Sequence, residues 1–555
     1  MVASPAPVEE VAAVIRSGPA AAHNGRRSVA RALAARAGAL TLPASVVVAV
    51  LPLVVAAVRI VGRAPAIAWT GDRALTELAV REASRANQLL GIGGRFGWRH
   101  PGPIWMYLLA PLYALTGRAP WSLAVGAVAL HIIFIAVAVI AVGRCAGARA
   151  AAVLALLVAA YLEATGLRYW TNLWAGYAFT WPVLALVTLC ALAMSVRSAG
   201  WAFPAAVLVG TFCVQTDVST IVVVGAIGLV ALVVRLRRFG VADSICGPRS
   251  PVSPAAVVIA SVVVLSWIPP LVEQAVAPTG NLTLLARFGA QGSGGHPLRA
   301  AAGATGAALS VVPLGARWVL RNGAQDRIGE GPWWAVAFTV AYLVALAVSA
   351  GVAWRRGRLA AGDLAALSAV GVAAAVASMS RVDGPINFYL LTWITVLPVA
   401  ALAAVVVTTL PSALTRAALP VAAVFAVVVT VSQGGIHDYD RSASDAARTQ
   451  AARALDVLGP TARRTVRIHV VTADAWQLAA GVGLQLERGG AHIEVDPEWV
   501  FLFGDAFKPV PPGRPAAELW FARPHELPLV TIGDGVVDLG EVAGINALAR
   551  QDPRS

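Results

Sequence analysis

Leu42–Val61 reads LPASVVVAVLPLVVAAVRIV, and shortly after it Thr70–Leu78 reads TGDRALTEL. The first stretch carries one charge, Arg59, near its end, where a long side chain can reach the interface while its stem stays in hydrocarbon. A helix of about 20 apolar residues crosses the roughly 30 Å of a bilayer core. The second stretch changes character at once, with a carboxylate ahead of a helical pattern. A membrane span that opens into a polar, chemically equipped loop sets the terms for the rest of the chain.

Apolar runs of similar length recur at about 121–143, 150–166, 175–195, 201–215, 217–234, 252–276, 333–353, 362–380, 387–409 and 417–433. With the first they predict a polytopic α-helical membrane protein of about 11 transmembrane helices. Ile104–Thr116 is apolar but too short to span, and reads as re-entrant or interfacial. Composition agrees. Of 555 residues, 58% are hydrophobic and only 13% charged, where soluble globular chains carry about 25%. That deficit excludes a cytosolic enzyme, a disordered protein and a secreted disulfide scaffold. The net charge of +14 comes almost entirely from arginine, since Lys508 is the only lysine. No basic block is interleaved with aromatics, so nucleic acid is not an expected partner. Cys145, Cys190, Cys213 and Cys246 show no CxxC spacing, which supports neither a disulfide frame nor a zinc site.

Arginines in alternate short loops orient the chain. Arg144 and Arg149, Arg197, the group Arg235, Arg237, Arg238 and Arg249, then Arg355, Arg356 and Arg358, and finally Arg416 mark the cytoplasmic face. Residues 1–40 join them as a cytoplasmic Arg-rich segment lacking the apolar core of a cleavable signal peptide. An odd number of spans then puts the C-terminus outside. The expected organisation is a membrane domain over 41–433, with outer loops at 62–103 and 278–332, and an extracytoplasmic tail over 434–555. In the tail, Thr465–Thr472 (TVRIHVVT) alternates as a half-buried strand, Ala475–Arg488 reads as a helix capped by Asp474, and His492–Asp496 as another strand. A small α/β domain is expected there.

Chemistry concentrates in the first outer loop. From Ala74 to Leu90 the pattern is helical, with Glu77, Arg81 and Arg85 spaced for ion pairs on a solvated face. Glu82 falls on the side of Leu75 and Leu78, where a carboxylate wants a cationic partner or a ligand. Asp72, just ahead of this helix, is placed either to cap it or to do chemistry. The proline-bounded turn Arg95–Pro103 then holds two arginines, a histidine and a tryptophan on a stiff backbone. His100 reads there as a turn residue or a site residue. Gly91–Gly94 has no preceding strand and reads as a bend rather than a phosphate loop.

The pattern G-D-x-A-L-x-E-L followed by R-x-G-W-x-H-P-G-P, after a first span, resembles the GT-C superfamily of integral-membrane glycosyltransferases. The likeness is to polyprenyl-phosphate-sugar-dependent enzymes of the bacterial cell envelope. It extends to Gln215-Thr216-Asp217, to Pro269–Gln274 running into Gly280-Asn281-Leu282, to Arg381 ahead of Gly384-Pro385-Ile386, and into the tail. Two departures stand out: Asp217 occupies the place of an expected histidine, and no second acidic residue follows Asp72. A paired-carboxylate metal site is therefore not expected, and no cofactor is assigned. The resemblance implies Asp72 as the catalytic base of an inverting transfer. Arg95, Arg99, Arg168 and Arg381 become cationic candidates for the leaving phosphate. Glu82, His100 and Asn281 complete the expected substrate-binding set. The implied donor is a polyprenyl-phosphate-linked sugar, and the acceptor an envelope glycan, lipid or protein at the plasma membrane. The rival class is a transporter or flippase of lipid-linked saccharides, which should place ionisable residues at mid-membrane. A non-catalytic glycan-binding scaffold would leave Asp72 and the turn unused.

The charge pattern yields a direct test of orientation. A reporter fused after Ser555 should be active outside the cytoplasm and silent within it; cytoplasmic activity would invert the topology.

Overall fold

In a computed structural model the described residues are 40–94, 96–245, 254–291, 295–311, 333–411, 415–433, 441–510, 515–529 and 535–551. Among them, eight helices are long and apolar enough to cross a membrane: Leu40–Arg63, Pro120–Ala146, Ala148–Thr165, Val218–Val241, Pro254–Val276, Trp333–Arg355, Leu359–Met379 and Phe388–Val407. Three shorter apolar helices, Thr180–Ser195, Ala202–Thr216 and Ala418–Ser432, fall where the other expected spans lie. The protein is thus a multi-pass helical membrane protein with a small C-terminal α/β domain. Residues 1–39, with the arginine-rich segment, lie outside the described residues.

Burial sorts the helices. Every residue from Thr180 to Met194 is buried, so this helix, apolar all round, is central to the bundle. Pro254–Val276 is equally apolar but exposes Val257, Val258, Val264 and Leu265. Such a surface suits lipid, not water. Val218–Val241 and Leu359–Met379 run the full depth of the bundle. At one end Arg238 donates to both oxygens of Asp363, at 2.5 and 2.9 Å, and Trp354 Nε1 donates to the same carboxylate at 3.1 Å. That pairing lets a fully buried aspartate tie two spans together.

At the opposite end sits the tail. Five strands, β1 (Thr465–Val470), β2 (His492–Val495), β3 (Ala517–Ala522), β4 (Val536–Val542) and β5 (Ile545–Gln551), form one sheet in the order β2-β1-β3-β5-β4. β1 is parallel to β2 and β3, while β5 is antiparallel to β3 and β4. β1 alternates half-buried and buried positions, as its period-two sequence requires. The tail helix Trp476–Arg488 links β1 to β2 and packs against the loop helix Gly71–Ala83.

Docking of the tail corrects two expectations about the first loop. The loop helix ends at Ala83 rather than Leu90, because the Glu82 carbonyl takes the amides of Arg85 and Asn87 and Ala86 turns left-handed at φ 61°. Its polar face is not solvated either. Glu77 is 0% and Arg81 7% exposed; Arg85 alone of the trio stays outside. Arg488 grips Glu77 through Nε at 2.8 Å and a terminal nitrogen at 2.6 Å, and the Tyr113 hydroxyl donates to the same carboxylate at 2.8 Å. Arg81 donates to the Glu487 carbonyl at 2.9 Å. Tyr113 belongs to the short helix Ile104–Leu115, so three elements meet at one carboxylate.

Removing one partner of such a pair strands the other. Arg488→Ala should cost about 3–5 kcal/mol, read as a lower midpoint of thermal unfolding in detergent. The double change Glu77→Leu with Arg488→Met should recover most of it. A native-like midpoint for Arg488→Ala would mean the tail is held by other contacts.

Candidate active site

A cavity of about 1160 Å³ lies where the membrane helices, the two loops and the tail meet. Pockets for single small ligands usually run from about 300 to 1,000 Å³, so this one has room for more than one. Ile221, Val222, Trp267 and Leu285 line it on the membrane side; Trp476, Trp499, Phe501 and Leu502 line it on the tail side. Its ionisable lining is Asp72, His100, Asp217, Arg381 and Asp383.

Asp72 is placed by the start of the loop helix. Gly71 takes φ 54°, a left-handed entry that glycine adopts without strain. Asp72 therefore lies inside the first turn, and the N-cap position belongs to Thr70, which makes no side-chain cap. The neighbouring Arg73 donates through Nε to Asn172 Oδ1 at 3.2 Å, which pins the helix start to the membrane domain. Among the described residues no donor reaches the Asp72 carboxylate. Burial raises its pKa to about 6, against the opposing charge of Arg73. A carboxylate in this state is ionised at neutral pH yet more basic than usual.

His100 comes from a small hairpin closed by Gly91 N to His100 O at 3.0 Å, His100 N to Ile92 O at 3.0 Å and Gly94 N to Trp98 O at 2.8 Å. The bend is packed on the tail: a Cβ at Gly93 would sit 2.5 Å from the Phe501 carbonyl oxygen. The amide of Val218 donates to His100 Nδ1 at 3.3 Å, which assigns the ring proton to Nε2. Burial holds the imidazole below its ordinary pKa, with Asp217 pulling it up and Arg99 pushing it further down. His100 is thus a neutral donor. Arg381 follows the helix Leu359–Met379 and is exposed at the cavity. Among the described residues no acceptor engages its guanidinium.

Asp72, His100 and Arg381 therefore share one cavity. Of the other expected site residues, Glu82, Arg99 and Asn281 do not line it. Arg99 is buried as a strut, donating to the Gly91 carbonyl at 3.0 Å and to Asp505 of the tail at 3.3 Å. Asn281 brackets the Arg99 backbone, accepting from its amide and donating to its carbonyl, both at 2.8 Å. Glu82 takes a cationic partner, Arg85, at 2.5 Å. Arg95 and the side chain of Arg168 lie outside the described residues. Sequence reasoning passed over Asp383 and the tail's Trp476 and Trp499, whose only signal was a pair of aromatics beside loop-forming residues. Asp217, noted as a departure, does line the cavity and accepts from the Ser219 amide at 2.8 Å. Among the described residues no three His, Cys, Asp or Glu side chains converge as metal ligands.

A helical membrane bundle, a helix-bearing first loop and an α/β tail close one cavity, and this arrangement is shared with a solved structure. The comparison that carries this is with the crystal structure of ArnT from Cupriavidus metallidurans bound to undecaprenyl phosphate. It matches with a TM-score of 0.51 over 92% of this chain and 97% of that one, at 15% identity. ArnT from the same organism in the apo state matches over 93% and 98%, with a TM-score of 0.49 and 15% identity. No family model and no curated protein sequence matches the chain.

The raised pKa of Asp72 has a thermodynamic signature. Between about pH 4 and 6 the folded protein binds a proton that the unfolded chain does not, so Asp72 favours folding more as pH falls through that window. Asp72→Asn, neutral throughout, should raise the unfolding midpoint at pH 7.5, and the gain should shrink towards pH 4.5. Parallel pH profiles for the two proteins would remove the case for a desolvated carboxylate.

Proposed function

We propose that this protein is an inverting membrane glycosyltransferase that moves a sugar from a polyprenyl-phosphate donor to a hydroxyl of an envelope glycan, lipid or protein. We assign it to the plasma membrane, with the cavity and the tail on the extracytoplasmic face and the N-terminus in the cytoplasm. The observation that carries the reading is the shared cavity. A desolvated carboxylate and an uncommitted arginine line a space that is apolar where it meets the membrane helices. The fold shared with ArnT, crystallised with undecaprenyl phosphate, supports a lipid-linked donor.

In the proposed reaction, Asp72 takes the proton of the acceptor hydroxyl as its oxygen attacks the anomeric carbon. The bond from that carbon to the phosphate oxygen breaks, and polyprenyl phosphate leaves with the electron pair. Phosphate is a weak base, so no general acid is required. Arg381 offers a fork suited to the charge that grows on the leaving group. His100 Nε2–H donates a neutral hydrogen bond within the same space. Asp72 then returns its proton to solvent. Transport would instead call for ionisable groups at mid-membrane, whereas the cavity's charges gather at the tail-side end of the spans.

Purified protein in detergent, given synthetic polyprenyl-phosphate sugars and envelope acceptors, should release free polyprenyl phosphate. Asp72→Asn should fold and bind donor but transfer roughly 10²–10⁴-fold more slowly. Arg381→Ala should lower kcat more than it weakens donor binding, and Arg381→Lys should restore part of the rate. Scrambling of lipid-linked sugar in sealed vesicles, undiminished by Asp72→Asn, would decide for a flippase.

A further inference from the structure

The tail is more than a cover for the cavity. Ala473, Trp476, Trp499, Phe501 and Leu502 all face it, and none carries a charge. Two charged neighbours of this wall are engaged elsewhere, Asp474 with Arg523 and Asp505 with Arg99, and a third, Glu498, is exposed. Trp476 lies against the helix start beside the proposed base, its ring 3.7 Å from where a Cβ of Gly71 would be. Trp499 donates its indole N–H to the Val470 carbonyl at 3.1 Å, which fixes the ring's orientation. Its ring stacks loosely along Phe501, with centroids 6.5 Å apart and planes 21° apart. Both tryptophans are half-buried, so each keeps part of its surface open.

We infer that Trp476 and Trp499 form an acceptor subsite, and that the acceptor is a neutral saccharide. The inference rests on the transferase reading of the cavity and names its second substrate. Three observations select the class. An acceptor must bring a hydroxyl to Asp72, and the wall beside Asp72 is aromatic. Flat indoles match the C–H face of a sugar ring and leave its rim of hydroxyls free for polar partners. An anionic headgroup would need cations, and among the described residues this wall has none. An acyl chain would seek the membrane-side wall of Ile221, Val222 and Trp267, whereas the indoles belong to the tail, beside exposed Asp474 and Glu498. The volume of about 1160 Å³ admits a donor headgroup and an acceptor ring together.

The test uses the full-length protein in detergent on an array of neutral tetra- to hexasaccharides of hexoses and pentoses. Binding of undecaprenyl phosphate is measured in parallel. The native protein should bind at least one oligosaccharide. Trp476→Leu and Trp499→Leu should each weaken that binding by about tenfold or more, while Phe at either position keeps most of it. Affinity for undecaprenyl phosphate should be unchanged in all four variants. In native protein labelled with 5-fluorotryptophan, the fluorine signals of Trp476 and Trp499 should shift on adding the bound sugar, a readout that does not depend on variants folding. Failure to bind any oligosaccharide, binding that survives both Leu changes, equal loss of undecaprenyl phosphate, or unmoved fluorine signals would each overturn the subsite. Native protein that binds oligosaccharide but not undecaprenyl phosphate would strike the donor assignment and leave the sugar site standing.

Discussion

Glu77 has no contact with water, and Arg488 makes its burial tolerable. A lone buried carboxylate costs several kcal/mol, and a bidentate guanidinium with a tyrosine hydroxyl offsets that cost. The bond joins a helix of the first loop to a helix of the tail. Five residues earlier on the loop helix, about 7.5 Å along its axis, is Asp72. A displacement of the tail would therefore carry Glu77 with it, and through a rigid helix would move the carboxylate at the cavity. The tail helix is the brace that fixes Asp72, and the hairpin of His100, packed on Phe501, is fixed by the same domain.

Two carboxylates on one short helix are thus given opposite treatment. Glu77 faces the tail and is matched with donors; Asp72 faces the cavity and is left without any among the described residues. Protein around Asp72 removes water but supplies little in return, and its pKa rises to about 6. Environment, not residue type, separates a structural acid from a candidate base.

Much of this is legible in the sequence, for physical reasons. Spans declare themselves because hydrocarbon tolerates few charges, so the expected runs and the observed apolar helices coincide from Leu40 to Ser432. β1, the tail helix and β2 follow from local periodicity. β3, β4 and β5 do not, because Ala517–Ala522 is buried at all but one position and shows no alternation, and the hairpin of β4 and β5 depends on pairing partners far along the chain. The wet face assigned to Glu77 and Arg81 fails for a related reason. Ion-pair spacing looks the same whether a helix meets water or a matching helix four hundred residues away. Motif and cavity coincide at Asp72, His100 and Arg381, whereas Arg99 and Asn281 lie outside the cavity lining. Those two are residues whose polarity serves to fasten the loop.

The proton balance of the cavity fits transfer from a phosphate better than hydrolysis of a glycoside. Glycosidases need a second carboxyl group as acid, because a sugar alkoxide is a poor leaving group. Of the carboxylates lining this cavity, Asp217 is committed to the Ser219 amide and Asp383 has partners of its own. His100 holds its proton on Nε2 and is kept neutral by burial, so it can donate a hydrogen bond but adds no positive charge. Among the described residues, what remains is one basic carboxylate and one uncommitted arginine. That set is enough when the departing group is already a stable anion: the base handles the only proton that must move, and the cation meets the only charge that develops.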